Sequence, residues 1–202
     1  MIFKPFMREH FMPLPVAFIS TISRTGIRNI APYGCVMPVL RPLDLICVAS
    51  AKKRDTLVNI NETGEFVVNL VSTQLADKVM PAARFTPPEI DEFVDAGISA
   101  KPSENINSPG LADAYAWMEC KLDKTFEEPD YVLIMGRVVH LEVADAVLTS
   151  DGVLNIEKAR PLMMTGGDKG MNFCTVTGID QFEPFSAMFP NGRDPLDQKY
   201  RR

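Results

Sequence analysis

Between Pro13 and Ser72, apolar strand-like runs alternate with turn signals, and three consecutive basic residues precede the helix set among them. Val16 to Ser23 is β-branched and apolar and ends at Arg24-Thr25-Gly26, a turn signature. Asn29 to Val39 resumes an extended pattern. Pro32 and Pro38 demand edge or bulge positions there, because proline has no N–H to give a sheet ladder. Leu43 to Ala49, apolar except for Asp44, reads as a buried strand. The pattern then predicts a short helix over Thr56 to Glu62, with Asp55 as N-cap, Leu57, Val58 and Ile60 facing inward, and Gly64 as the stop. Glu65 to Val71 returns to a period of two, with Phe66, Val68 and Leu70 on one face and Glu65 and Asn69 on the other.

Further along, Leu75 to Met80 reads as helical, with Pro81 marking its end. Thr86-Pro87-Pro88-Glu89 carries a capping box for a helix over Ile90 to Ala96, stopped by Gly97. Lys101 to Gly110, rich in Pro, Ser and Asn, predicts a long surface loop. Two strands follow, Trp117 to Glu127 and Tyr131 to Val143; in the second, Leu133, Met135, Val139 and Leu141 share one side. Beyond Ala144 the signals weaken to a glycine-rich loop at Gly166 to Gly170 and a polar tail from Pro190 to Arg202. Many strands with few short helices imply a mainly β fold, a β-barrel with short helices rather than a βαβ sheet. A chain of 202 residues suits one domain spanning 1–202, with a core over about 12–170 and an extension over 171–202.

The net charge of −5 argues against nucleic acid or an acidic membrane as partner. No apolar run approaches the length of a membrane span, and the N-terminus has no apolar core of the signal-peptide type, so the expected location is the cytoplasm. Cys35, Cys47, Cys120 and Cys174 form no Cys-x-x-Cys pair and read as free thiols. His10 and His140 are far apart, which leaves no metal-binding pattern. Hydrolase elbows, zinc-protease helices and P-loops are missing as well.

The chemistry-bearing feature is therefore the basic cluster. The start of a helix presents unpaired N–H groups and a partial positive charge, which together suit an anion. Lys52, Lys53 and Arg54 add full charges, and Ser50 and Thr56 add hydroxyls, so a phosphate is the expected guest. The competing reading is a solvated basic turn whose Asp55 caps the helix and occupies the same N–H groups. Asn29 has two readings: a donor to a ligand, or a turn residue that closes the Gly26 hairpin.

Taken in order, Pro15-Val16-Ala17 with Ser20-Thr21, Gly26, Asn29-x-Ala31-Pro32, Ser50, Arg54-Asp55-Thr56, Asn59-Ile60 and Thr63-Gly64-Glu65-Phe66-Val67-Val68-Asn69 resemble the flavin reductase-like family of FMN-binding split barrels, the group that includes flavoredoxins. Asp91-Glu92-Phe93 with Ala96-Gly97, Glu119-Cys120 and Gly136-Arg137-Val138 extend the resemblance. It implies an FMN-binding split β-barrel, a homodimer with one FMN per subunit near the interface. The flavin ring is expected along Asn29, Ala31, Pro32, Tyr33, Gly34 and Cys35, and the phosphate at Ser50, Lys52, Lys53, Arg54 and Thr56. Arg54 stands where the family commonly has lysine, and Cys35 where it often has a small hydroxyl residue. The implied activity is that of an NAD(P)H-dependent flavin reductase passing hydride through FMN to free flavin or another acceptor. The alternative is a flavoredoxin-like carrier that exchanges electrons with a protein partner. In either case the cofactor performs the chemistry, so no catalytic side chain is assigned.

Overall fold

A computed structural model describes residues 1–167, 170–180 and 185–196. After a 3-10 turn at Pro5–His10 come β1 (Leu14–Pro15), β2 (Ala17–Ile22), β3 (Arg28–Tyr33), β4 (Val36–Pro38) and β5 (Leu45–Ala51). Helix α1 (Asp55–Thr63) leads to β6 (Glu65–Leu70), then α2 (Ala76–Ala82) and α3 (Glu92–Asp95). The short strands β7 (Ala100–Lys101) and β8 (Gly110–Leu111) precede the long pair β9 (Ala116–Glu127) and β10 (Tyr131–Val143). Helix α4 (Ile156–Ala159), β11 (Met163–Thr165) and β12 (Asn172–Cys174) follow. Among the described residues no helix is long and apolar enough to cross a membrane.

Seven strands form one antiparallel sheet in the order β3-β2-β6-β9-β10-β5-β4. Strand alternation sends neighbouring side chains to opposite faces, and over β2 and β6 both faces are buried. On one face Phe18, Ile30, Val67 and Trp117 meet Val79 of α2 and Phe93 of α3. On the other, Ile19, Phe66 and Val68 share a cluster with Ile46, Val48 and Ile134 from the far half of the sheet, and with Ile60 of α1. Strands separated in sheet order touch one another because the sheet curls, with α1 packed inside the curl. The fold is mainly β with short helices, as expected from the pattern.

The two edge strands are β3 and β4, so Pro32 and Pro38 lie on edges, as the missing N–H requires. The two-residue period of β6 is also present, but its second face is not solvated. Asn69 is fully buried; its Nδ2 donates to the Phe18 carbonyl and Ser20 Oγ, both at 2.9 Å, and its Oδ1 accepts from Leu111 N–H at 2.8 Å. Asn69 therefore ties three segments together in the core, with both ends of its amide satisfied.

Several local expectations are corrected. Asp55 is not the N-cap: the Arg54 carbonyl already accepts from Leu57 and Val58 N–H, which puts Arg54 at the cap position with no side-chain cap bond. Asp55 is instead the first helical residue, where its charge still complements the helix dipole. Val58 points outward and is 49% exposed, since the inward stripe runs through Thr56, Leu57, Asn59 and Ile60. Gly64 ends the helix as expected, at φ 73° in the left-handed region. Helix α2 continues through Pro81, which sits in its last turn and gives up one backbone bond. The Thr86–Glu89 capping box does not form. Pro87 and Pro88 turn the chain, Asp91 Oδ1 accepts from Phe93 and Val94 N–H, and α3 starts only at Glu92. The Trp117 indole is core, donating Nε1–H to the Leu111 carbonyl at 2.7 Å. Asp168 and Lys169 of the glycine-rich loop, and residues 197–202 of the polar tail, lie outside the described residues.

Candidate functional site

The turn between β5 and α1 splits its three basic residues. Lys52 swings toward Glu127 at 3.5 Å, while Lys53 and Arg54 line a cleft of about 90 Å³ at the start of α1. Across that cleft lies the segment leaving α2, and it contributes Arg84 and Phe85. The Arg54 guanidinium lies 4.2 Å from the centroid of the Phe85 ring, a cation–π contact that holds the planar fork against one wall. Three cations thus face Asp55 and Glu92, the acidic groups of the lining, beside the free N–H groups of the first helical turn. A donor set of this kind, in a space this small, fits one phosphate monoester.

Beneath the cleft is a buried polar network. Asn29 Oδ1 accepts from Thr21 Oγ1 at 3.1 Å and from Thr56 Oγ1 at 3.0 Å, and Asn59 Nδ2 donates to Thr21 Oγ1 at 3.0 Å. Asn29 Nδ2 donates to Glu92 Oε2, which also accepts from Ile30 N–H at 3.0 Å, while Thr86 Oγ1 donates to Glu92 Oε1 at 2.7 Å. Glu92 therefore caps the free edge of β3 at Ile30 and anchors the segment that carries Arg84 and Phe85. Two residues on, Pro32 has no N–H to offer, so the edge of β3 is blocked twice over. Burial raises the Glu92 carboxyl above its ordinary range. The bonds from Thr86 and Ile30 pull it back, and the like charges of Asp55 and Asp95 push it up.

A second cavity, of about 190 Å³, lies on the other side of Asn29, Asp55 and Glu92. Ser23, Thr25, Asn59 and Glu62 contribute to its lining, and no cation does. Of these two cavities, only the cleft at the start of α1 is lined by cations.

Of the sequence-predicted residues, Asn29, Ala31, Lys53, Arg54 and Thr56 come together at the cleft. Asn29 and Thr56 are 6% and 1% exposed; Thr56 donates to Asn29, and the other bonds of the Asn29 amide go to Thr21 and Glu92. Asn29 neither closes the hairpin nor reaches out of the protein. Ser50, also buried, bonds the Tyr33 hydroxyl at 3.1 Å, outside the cleft lining. Pro32 pairs with Phe18 in the sheet, and Gly34 lies under Leu14 and Met164, where a Cβ would come within 3.4 Å of the Met164 methyl. Cys35 is exposed between β3 and β4. Sequence reasoning missed Arg84, Phe85, Thr86 and Glu92. The available signal was a basic–aromatic pair just after a helix, but Thr86-Pro87-Pro88-Glu89 drew attention to capping instead.

Residues 7–169 match the family model described as a flavin reductase like domain. An uncharacterized protein of Methanothermobacter thermautotrophicus is 55% identical over 207 aligned residues, covering 100% of this chain and 98% of its own length. Among solved structures, nitrilotriacetate monooxygenase component B from Bacillus cereus superposes with a TM-score of 0.79 at 27% identity, covering 91% of this chain and 98% of that one. Flavoredoxin of Desulfovibrio vulgaris (Miyazaki F) has a TM-score of 0.79 at 22% identity, covering 94% of this chain and 100% of its own, a likeness of fold. The curled seven-stranded sheet is thus the split barrel that the family resemblance implied.

Proposed function

The chain belongs to the flavin reductase-like family, and from that premise we propose that it is an FMN-binding oxidoreductase, an NAD(P)H-dependent flavin reductase that delivers electrons to free flavin or another acceptor. The observation that carries this reading is the cleft where Lys53, Arg54 and Arg84 converge on the start of α1. Lys53 and Arg84 neutralise the phosphate, and Arg54, braced on Phe85, offers it a fork of donors. FMN, when bound, supplies the hydride and electron transfer. The buried network from Thr21 to Glu92 keeps β3 and α1 in register, so that cleft and strand stay aligned. The ring is assigned to the outer side of Ala31 to Cys35. A second copy of the chain completes that site, and the protein acts as a homodimer whose 202 residues form one domain.

Support for the dimer comes from an apolar groove of about 400 Å³ at the β4–β10 side, floored by the buried Ile46 and lined by the half-buried Leu45 and Val138 and the exposed Leu141. Contiguous apolar surface of this kind marks an interaction face.

The test is the double variant Arg54→Ala with Arg84→Ala. Each lost charge-assisted contact costs about 1.5–3 kcal/mol, so FMN affinity, read by quenching of flavin fluorescence, falls at least tenfold while the fold is kept. Unchanged flavin content would remove the assigned site. Rapid NAD(P)H oxidation on addition of free flavin selects the reductase. Slow oxidation with fast reduction by a protein partner selects the carrier, which the net charge of −5 would suit by docking to a basic surface.

A further inference from the structure

Glu92 forms part of the wall between the two cavities and is 8% exposed. Three donors hold it, Asn29 Nδ2, Ile30 N–H and Thr86 Oγ1, and all three are neutral. The cation nearest in the sheet, Arg28 on β3, is committed to Asp91 at 2.7 Å. Asp55 at the start of α1 and Asp95 at the end of α3 oppose a negative charge on Glu92, and Glu62 lines the second cavity with it. Lys53, Arg54 and Arg84 share the cleft with Glu92, yet none of them forms an ion pair with it. A carboxylate so placed lowers the positive potential of the cleft without being neutralised.

We propose that Glu92 regulates the anion cleft through a proton: it takes one up from solvent as a phosphate monoester enters and returns it as the ligand leaves. The proposal rests on the reading of that cleft as the phosphate site. Its geometry allows the change without loss of contact. With the proton on Oε1, the acid donates to the Thr86 hydroxyl, which turns to accept, while Oε2 keeps both Asn29 and Ile30. Only the charge changes. By linkage, a bound anion raises the proton affinity of Glu92, and the proton raises the anion affinity by the same factor.

The sign follows from this. As pH falls through the range in which Glu92 titrates in the free protein, anion affinity rises. The second ionisation of the phosphate, near pH 6, acts in the opposite sense, because the dianion binds more tightly at higher pH. Calorimetry of FMN binding at pH 7, in two buffers of different ionisation enthalpy, separates the two effects. Net proton uptake belongs to Glu92, and net release belongs to the phosphate.

Glu92→Gln copies the protonated acid, its oxygen accepting from Asn29 and Ile30 and its NH₂ donating to Thr86. This variant binds FMN on the order of tenfold more tightly at pH 8, the gap to the unaltered protein closes toward pH 5, and proton uptake disappears. Net proton release by the unaltered protein at pH 7, or a folded Glu92→Gln variant of unchanged affinity at pH 8, overturns the proposal. The calorimetry of the unaltered protein needs no variant, so a Glu92→Gln protein that fails to fold still leaves the idea exposed to refutation. If Arg54→Ala with Arg84→Ala weakens FMN binding but Glu92→Gln does not strengthen it, only the proton linkage falls. If the arginine variants bind normally, the phosphate site itself is misplaced.

Discussion

Gly136 is a glycine because β10 passes directly over the Phe66 ring at that point, where a Cβ would overlap the aromatic edge. Its backbone is extended, so the demand is for space rather than for conformational freedom. Gly136→Ala must displace a fully buried ring, an overpacking that costs about 1–3 kcal/mol. For a chain of this length that lowers Tm by about 2–4 °C per kcal/mol, measurable by calorimetric unfolding. Glu92 imposes a different stress. Its folded-state proton affinity is raised mainly by burial, so the folded state holds the proton more tightly than the unfolded chain does. Stability accordingly falls as pH rises from the ordinary glutamate range through the raised one. Glu92→Gln removes that slope and raises Tm at neutral pH, whereas a Tm profile unchanged from that of the unaltered protein would contradict the assignment. The sequence places Glu92 within a recognisable Asp91-Glu92-Phe93 triplet, but its burial depends on β3, which is 62 residues away from it at Ile30.

At the level of elements, the long loop before β8 shows what pattern reasoning leaves out. Lys101 to Gly110 looks free in sequence, yet it is fastened at several points. Glu119, 3% exposed on β9, accepts from Glu104 N–H at 2.7 Å and from Asn105 N–H at 2.8 Å. Glu65 takes Asn107 N–H at 2.9 Å, and Ser103 Oγ donates to the Ser108 carbonyl. Glu119 and Glu65 belong to strands outside the loop, β9 and β6, so no signal within the loop marks them. Glu119→Ala leaves the N–H groups of two exposed residues to water and costs about 1–2 kcal/mol. Hydrogen exchange in that variant should quicken over residues 102–109 and leave β9 protected; a uniform change across the sheet would refute local tethering. The same contrast holds at the helices. The stop of α1 was legible because Gly64 alone suits φ 73°, whereas the start of α3 was not, because Asp91 and the prolines before it offered competing caps.

For the whole molecule, the curl of the sheet decides what is brought together. It sets α1 inside, presents its first turn to the segment after α2, and leaves Met37, Leu40, Val139 and Leu141 exposed at 57%, 54%, 40% and 62%. If a second copy covers that face, Leu141→Glu dissociates the dimer and releases FMN. Light scattering coupled to size exclusion reads the mass, and a monomeric unaltered protein at micromolar concentration would refute the assembly. A register shift between Val138 and His140 breaks the period of β10 and turns Leu141 to the face opposite Leu133 and Met135, against expectation. Most of the strand and turn periodicity, the edge prolines, the Gly64 stop and the basic run before α1 were legible in the residues alone, because each is a local consequence of backbone geometry or charge. The pairing of Arg84 and Phe85 with Arg54, the diversion of Lys52 to Glu127, and the sealing of Asn29 and Thr56 into a network around Glu92 were not. Those arrangements depend on which distant segments the curled sheet sets face to face, and no spacing along the chain encodes that distance.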